Sequence, residues 1–250
     1  MNTYRLTGLL LALSLASGPG AASEWGNPPA APEGAALSGK VVFAGEKVPQ
    51  RAILDMSSKP EHKKRCMQAP DKASRALLID PAGKGIANVF VEIRKVTKKK
   101  WKPDAKPLEA DQEYCRFEPH IMVVAPGQEI DFKNSDPFLH NVNFMCRKNP
   151  ASNFGIPEKG EKKITFKSAE KIGVRCDVHT WMKSWIVVTD NPYHALTGKD
   201  GSFSIKDVPP GEYEVRFWHE SLGQLKKKKV EIGEGGTALE IKSDDPAWKK

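Results

Sequence analysis

Along most of this chain, short runs of alternating apolar and polar residues are separated by Gly, Pro, Asn and Asp. That pattern restricts it to β structure. The runs fall at 39–43, 87–94, 120–124, 129–133, 140–144, 162–167, 171–175, 185–189, 202–206, 213–219, 227–232 and 238–242, and they are rich in Val, Ile and Phe. No segment shows a long helical period with caps; 61–67 offers a helical turn or two. Short, regularly punctuated strands predict an all-β chain built of β-sandwiches. The 250 residues suffice for one large or two small domains, and 39% hydrophobic content gives material for a packed core.

The segment Cys176-Asp177-Val178-His179-Thr180-Trp181-Met182 lies between two of these runs, and His140-Asn141-Val142 opens an earlier one. Together they offer a thiolate, two imidazoles and a thioether. One sulfur and two nitrogens with a weak axial sulfur is the ligand set of a mononuclear blue-copper site. A lone Cys-x-x-His is a weak signal. The addition of Met182 after Cys176, and of His140 on a separate hairpin, makes it strong. Zinc favours several Cys or His and would not use Met182, whereas soft sulfur selects copper. The bland alternative is a buried structural Cys beside a surface His.

On these residues the stretch 118–190 resembles a small cupredoxin of the amicyanin and plastocyanin type. The likeness rests on His120-Ile-Met-Val-Val-Ala-Pro-Gly127, on Pro137-Phe-Leu-His140-Asn141-Val142-Asn143-Phe144, and on Cys176-x-x-His179-x-x-Met182-Lys-Ser-Trp-Ile-Val-Val188. The resemblance implies a Greek-key sandwich holding one type-1 copper, with His140, Cys176 and His179 equatorial and Met182 axial. It implies that Asn141 braces the Cys loop and tunes the potential by hydrogen bonds near the sulfur. It also implies that His179 lies near the surface, one ring edge toward solvent or a partner, as the electron port. The whole chain resembles bacterial periplasmic proteins of the methylamine-utilisation type, a label that fixes no pathway.

A second resemblance concerns the tail. Thr197-Gly198-Lys199-Asp200-Gly201-Ser202-Phe203 followed by Val208-Pro209-Pro210-Gly211-Glu212-Tyr213 looks like the end of a carboxypeptidase-regulatory-like or transthyretin-like sandwich, in which Asp-Gly closes one hairpin and Pro-Gly the next. Ser38-Gly39-Lys40-Val41-Val42 and Ile86-Ala87-Asn88-Val89-Phe90 fit its opening half. Residues 38–100 and 191–243 are therefore expected to form one discontinuous domain, with the cupredoxin at 104–190 inserted in it or packed beside it. The ends of an insert must lie close in space. If 89–93 and 202–206 belonged to different sheets in different domains, the idea would fail.

Residues 1–23 read as a secretory signal peptide: Arg5, the apolar stretch 6–15, then Gly18-Pro19-Gly20-Ala21-Ala22-Ser23. A flexible Ala/Pro/Gly-rich leader, 24–37, follows. The apolar stretch is too short to span a bilayer, so a periplasmic or secreted protein without a transmembrane segment is expected. Net charge is +8, with lysine runs at 98–100 and 226–229. Such runs are usually solvated; the functional reading is attraction to an acidic redox partner, a cytochrome or a dehydrogenase. Nucleic acid is not expected of an exported chain whose basic runs carry no stacking motif. With Cys176 on copper, export permits a disulfide among Cys66, Cys115 and Cys146. Cys66–Cys115 is favoured because both lie outside the copper hairpin and its loop, although spacing does not decide among the pairings.

The remaining candidates read mostly as structure. His120 is expected to pack, His62 to be solvated in its Lys-rich stretch, and Met122 and Met145 to be core. His194 and His219 belong to the second domain, where His219 could contact the cupredoxin. Trp181 and Trp185 serve either as packing or as an apolar collar. Paired His-x-His, Gly-x-Ser-x-Gly and His-Glu-x-x-His motifs are absent, so a non-enzymatic electron carrier is favoured. Glu118 or His120 on the metal would instead point to redox chemistry. The alternatives are a copper-delivery module, or a structural sandwich that docks a cupredoxin to a larger redox complex.

Overall fold

A computed structural model describes residues 35–56, 59–96, 100–246 and 248–249; the expected signal peptide and part of the leader lie outside the described residues, as do Lys98 and Lys99. The strands are β1 (Leu37–Val42), β2 (Phe90–Arg94), β3 (Leu108–Glu113), β4 (Arg116–Glu118), β5 (Ile121–Val124), β6 (Glu129–Asn134), β7 (His140–Met145), β8 (Ser152–Ile156), β9 (Glu161–Thr165), β10 (Glu170–Arg175), β11 (Lys183–Val188), β12 (His194–Leu196), β13 (Ser202–Ile205), β14 (Gly211–His219), β15 (Gly223–Ile232), β16 (Thr237–Lys242) and β17 (Trp248–Lys249). One helix, α1 (Pro60–Cys66), stands between β1 and β2. The chain is thus all-β. Among the described residues no helix is long and apolar enough to cross a membrane.

Four sheets form, ordered β4-β3-β6-β9, β5-β11-β10-β7-β8, β12-β2-β14-β15-β17 and β13-β1-β16. Strand parity decides how they stack, because alternate side chains point to opposite faces. Phe117, Ile130 and Phe132 of the first sheet meet Val142, Phe144, Ile172, Val174, Ile186 and Val188 of the second in one core. Val91, Ile93, Val215, Phe217 and Leu225 of the third meet Leu37, Val41, Phe203, Ile205 and Ile241 of the fourth in another. Between the two middle sheets lie Phe90, Ile121, Val187 and Trp218. The facing strands β2, β5, β11 and β14 are therefore apolar on both faces, which is why Trp185-Ile-Val-Val188 reads as a continuous run rather than an alternating one. At roughly 1.5–3 kcal/mol for each large side chain fully buried, this interlayer contact stabilises the pairing of the sandwiches.

Residues 89–93 and 202–205 lie in different sheets that close over the same core. The chain leaves this core after β2 and returns before β12, and the two crossings adjoin. Trp101 N donates to Asp190 O (2.7 Å), Asn191 Nδ2 to Ile93 O (2.8 Å) and Ile93 N to Tyr193 O (3.0 Å). The Asp200-Gly201 turn takes the left-handed conformation at Gly201, φ 80°. A Cβ on Gly85 would fall 1.7 Å from Asp200 O, so the loop before β2 packs backbone to backbone on this turn.

Candidate metal centre

Three of the four sulfur and nitrogen donors sit where strand parity aims them inward. In β7 the alternate positions His140, Val142 and Phe144 are buried and share one face; in β10 Ile172 and Val174 precede Cys176 on theirs; in β11 Ser184, Ile186 and Val188 follow Met182. The antiparallel pairing Arg175↔Asn143, continued by two residues, sets Asn141 opposite Asp177 and brings the His140 end of β7 beside the loop after β10. That loop is closed by Cys176 N to Met182 O (3.2 Å) and Met182 N to His179 O (2.8 Å). It is a short, hydrogen-bonded turn between paired strands, so its donors are held by the sheet.

The Nδ1 atoms of His140 and His179 lie 3.9 and 3.8 Å from Cys176 Sγ, and the three donor atoms are all within 4.8 Å of one another. His140 and His179 have no exposed surface, and Cys176 and Met182 are 2% and 1% exposed. Burial acts to raise the Cys176 thiol, but contacts with His140, Asn141 and the His179 N–H outweigh it and hold the thiol below its ordinary range. Burial, with the neighbouring His140 and His62, pushes His179 down to about 3, so its ring is neutral and ready to ligate. A buried thiol poised toward thiolate, two imidazole nitrogens aimed at it and an adjacent buried thioether fit a copper ion. Asn141 Oδ1 receives Cys176 Sγ (3.2 Å), Asp177 N (2.6 Å) and Val178 N (3.3 Å), pinning the start of the loop. Outside it, Asp177 gathers the amides of Asn141, Asn143 and Asn153.

The far side of His140 is held by a residue that sequence reasoning missed. Asp136, fully buried, accepts from His140 Nε2 (2.9 Å), Tyr114 N (2.9 Å), Cys115 N (2.7 Å) and Arg65 Nε (2.7 Å). Burial would raise this carboxyl, but the bonds from His140, Cys115 and Arg65 outweigh it and hold it below the usual carboxylate range. With Nε2 of His140 committed to Asp136, Nδ1 is left free as the donor that faces Cys176. The four groups that donate to Asp136 come from three separate parts of the chain: α1, the β3–β4 turn and β7.

Helix α1 forms a strap across the site. Pro60 opens it at a position where no N–H is needed. Cys66 at its end is disulfide-bonded to Cys115 in the β3–β4 turn. Those sulfurs come within 4.8 Å of a His179 ring nitrogen, but, being bonded to each other, they are not ligands. The strap corrects two expectations. His62 is not a free, solvated side chain but only partly exposed: its Nδ1 lies 2.9 Å from His179 Nε2, and its ring stacks on Phe138 with centroids 3.8 Å apart. His179 accordingly has no ring edge facing solvent and is not a surface port. The helix periodicity that turns His62 inward is too short to read in a seven-residue charged stretch.

Other candidates fall elsewhere. Glu118 pairs with Arg75 (2.6 Å), and His120 pairs with Glu220 between the sandwiches, so neither approaches Cys176. His219 is buried and accepts from Ser221 N (3.2 Å); His194 bonds Asn191 O (2.7 Å). Met122 is buried, but Met145 is 48% exposed and not core, because parity in β7 sends Phe144 inward and Met145 outward over Gly173. Trp181 lies beside His179, with centroids 5.1 Å apart, and donates to Cys115 O (3.2 Å). Trp185 points the other way, onto Trp218 and Glu220. Cys146 is a half-buried free thiol, raised by burial and then by Glu170.

No family model matches this sequence, and no curated protein matches it. Among solved structures, a Cu(I) form of an amicyanin mutant is 16% identical with a TM-score of 0.31, over 39% of this chain and 97% of that one. A purple cupredoxin from Nitrosopumilus maritimus is 13% identical with a TM-score of 0.29, over 33% of this chain and 99% of that one. A copper-containing nitrite reductase from Thermus scotoductus SA-01 is 19% identical with a TM-score of 0.32. The likeness spans 38% of this chain and about a quarter (26%) of the reductase's length.

Proposed function

We propose that this protein is an exported type-1 copper protein that carries single electrons between redox partners and is not itself an enzyme. The observation that carries this reading is the convergence of two imidazole Nδ1 atoms on one buried thiol, at 3.9 and 3.8 Å. His140, Cys176 and His179 would hold the ion equatorially, with Met182 from the same loop as the weak axial ligand. Copper, when bound, supplies a one-electron couple. The residues supply the rest. Asp136 fixes the His140 ring, Asn141 clamps the sulfur and its loop, and the strap excludes water. Fixed donors require little rearrangement between oxidation states, which suits a carrier. Donors this enclosed do not suit a module that hands its metal on. We further assign 38–100 plus 191–243 to one regulatory-like sandwich and 104–190 to the inserted cupredoxin, on the strength of the adjoining crossings.

The test is spectroscopic. The mature chain loaded with Cu(II) should show an intense visible thiolate-to-copper band and a reversible potential, and Cys176→Ser should lose the band. A colourless protein that binds only Cu(I) and exchanges it within seconds would replace this reading with copper delivery.

A further inference from the structure

If copper binds here, the surface through which a partner must approach is unassigned, because the ligand imidazole that would be exposed is not. His179 has no accessible surface, and the group directly outside its Nε2 is His62. A ligand at His179 Nδ1 leaves the ring proton on Nε2, which then donates to His62 Nδ1 at 2.9 Å. His62 is half-buried, so it is the first side chain on this line that reaches solvent. Its ring is clamped rather than free, stacked on Phe138 and anchored by the helix that carries it. That helix is fixed at its far end by Cys66–Cys115 and by Arg65 on Asp136.

The face around His62 has a definite chemistry. Lys63 and Lys64 are exposed and Lys59 is half-buried, against Glu61; the charge of Arg65 is spent on Asp136 and Glu113. Beside Phe138 stand exposed Pro137 and half-exposed Leu139 (50%). An apolar spot next to a polar, charged margin is the anatomy of a protein interface, and opposite charge across such a margin steers association.

We propose that helix α1 is the docking face of this protein and that His62, not a metal ligand, is the group presented to the partner: a redox protein with an acidic face seated on Lys59, Lys63 and Lys64. The proposal rests on the copper reading but places the contact on a part of the chain outside the metal loop. The exchange is a bare one-electron transfer. The partner loses or gains one electron, and no bond or proton need move.

Two measurements on the full mature chain test it. In the first, hexacyanochromate(III), a redox-inert paramagnetic trianion, is titrated into the Cu(I)-loaded chain and into the metal-free chain. Amide resonances of Glu61–Arg65 and Phe138–Leu139 should broaden before all others. Broadening centred on Lys183 or on Lys227–Lys229 overturns the proposal. In the second, hexacyanoferrate(III) takes one electron from the Cu(I) form and becomes hexacyanoferrate(II). Lys63→Glu/Lys64→Glu, both at exposed positions, should slow this at least tenfold at low ionic strength. His62→Leu, which keeps His179 covered but cannot accept its N–H, should slow it by more than the change in reduction potential measured on the same sample accounts for. A rate within twofold of wild type in the double variant overturns the docking face, and the same result in His62→Leu overturns the port. A chain that takes up no copper fails the copper reading instead, while the mapping on metal-free protein still decides the face.

Discussion

Asp136→Ala is the most informative single change. The carboxylate is fully buried and has four donors: Arg65 Nε, Tyr114 N, Cys115 N and His140 Nε2. Arg65 is about a quarter exposed (25%) and can turn to water, but the other three donors lose their acceptor in the interior. A buried donor left unsatisfied costs about 1–3 kcal/mol, and a water entering the vacated space recovers part, so the loss should be roughly 3–6 kcal/mol. For a chain of this size each kcal/mol lowers Tm by ~2–4 °C. A drop of at least about 6 °C is expected in the metal-free protein. Asp136→Asn keeps the shape and one acceptor but turns an amide N–H toward existing donors, so it should recover only part. In the copper-loaded protein both variants should also shift the reduction potential, because the His140 ring loses its anionic partner. Thermal melts and voltammetry on the same samples separate the two effects. An Asp136→Ala protein within about 1 kcal/mol of wild type and with an unchanged potential would refute the role given to this carboxylate.

Opening Cys66–Cys115, by Cys66→Ser/Cys115→Ser or by a dithiol, removes a cross-link over 49 residues and should cost about 4 kcal/mol, read from urea midpoints, while speeding metal uptake by an order of magnitude as the strap loosens. His219 is held at about 4 by burial, so between the unfolded value near 6.5 and pH ~4 the unfolded chain binds a proton that the folded chain refuses. Stability should therefore fall as pH drops through that window, by up to ~1.4 kcal/mol per unit, and His219→Gln should flatten the slope in urea titrations at pH 4.5–7. Asn141→Ala removes the acceptor of three loop donors and should broaden the copper electron-paramagnetic signal and move the potential by tens of millivolts, with copper still bound.

Much of this site could be read from the chain because three of its donor types stand in one short loop, Cys176-x-x-His179-x-x-Met182, and the structure adds that strand parity aims them. Cys176, Met182 and His140 continue the inward series of the strands they adjoin, and Asn141 follows from its neighbour. The β3–β4 hairpin could not be read. Leu108–Glu113 buries a glutamine, Gln112, and its turn is Tyr114-Cys115 at φ 51° and 56°, where a sequence reader looks for Asn-Gly. Asp136 and the disulfide hold that turn in place of intrinsic preference, so its cause lies elsewhere in the chain. The same holds for His62, whose contact with His179 spans 117 residues and leaves no trace in Pro60-Glu61-His62-Lys63-Lys64 beyond a charged stretch. β8, with a glycine in Ser152–Ile156, and the three-residue β12 were too short or too polar to stand out.

The strap belongs to the stretch between β1 and β2, not to the stretch that carries His140, Cys176, His179 and Met182. A fragment cut at 104 and 190 would inherit those four side chains but leave Cys115 without its sulfur partner, Asp136 without its guanidinium and His179 without its cover from His62. The residues between β1 and β2 are thus part of what encloses these donors. Engineering 104–190 in isolation would therefore leave the four side chains in a more open pocket than the one the full chain builds.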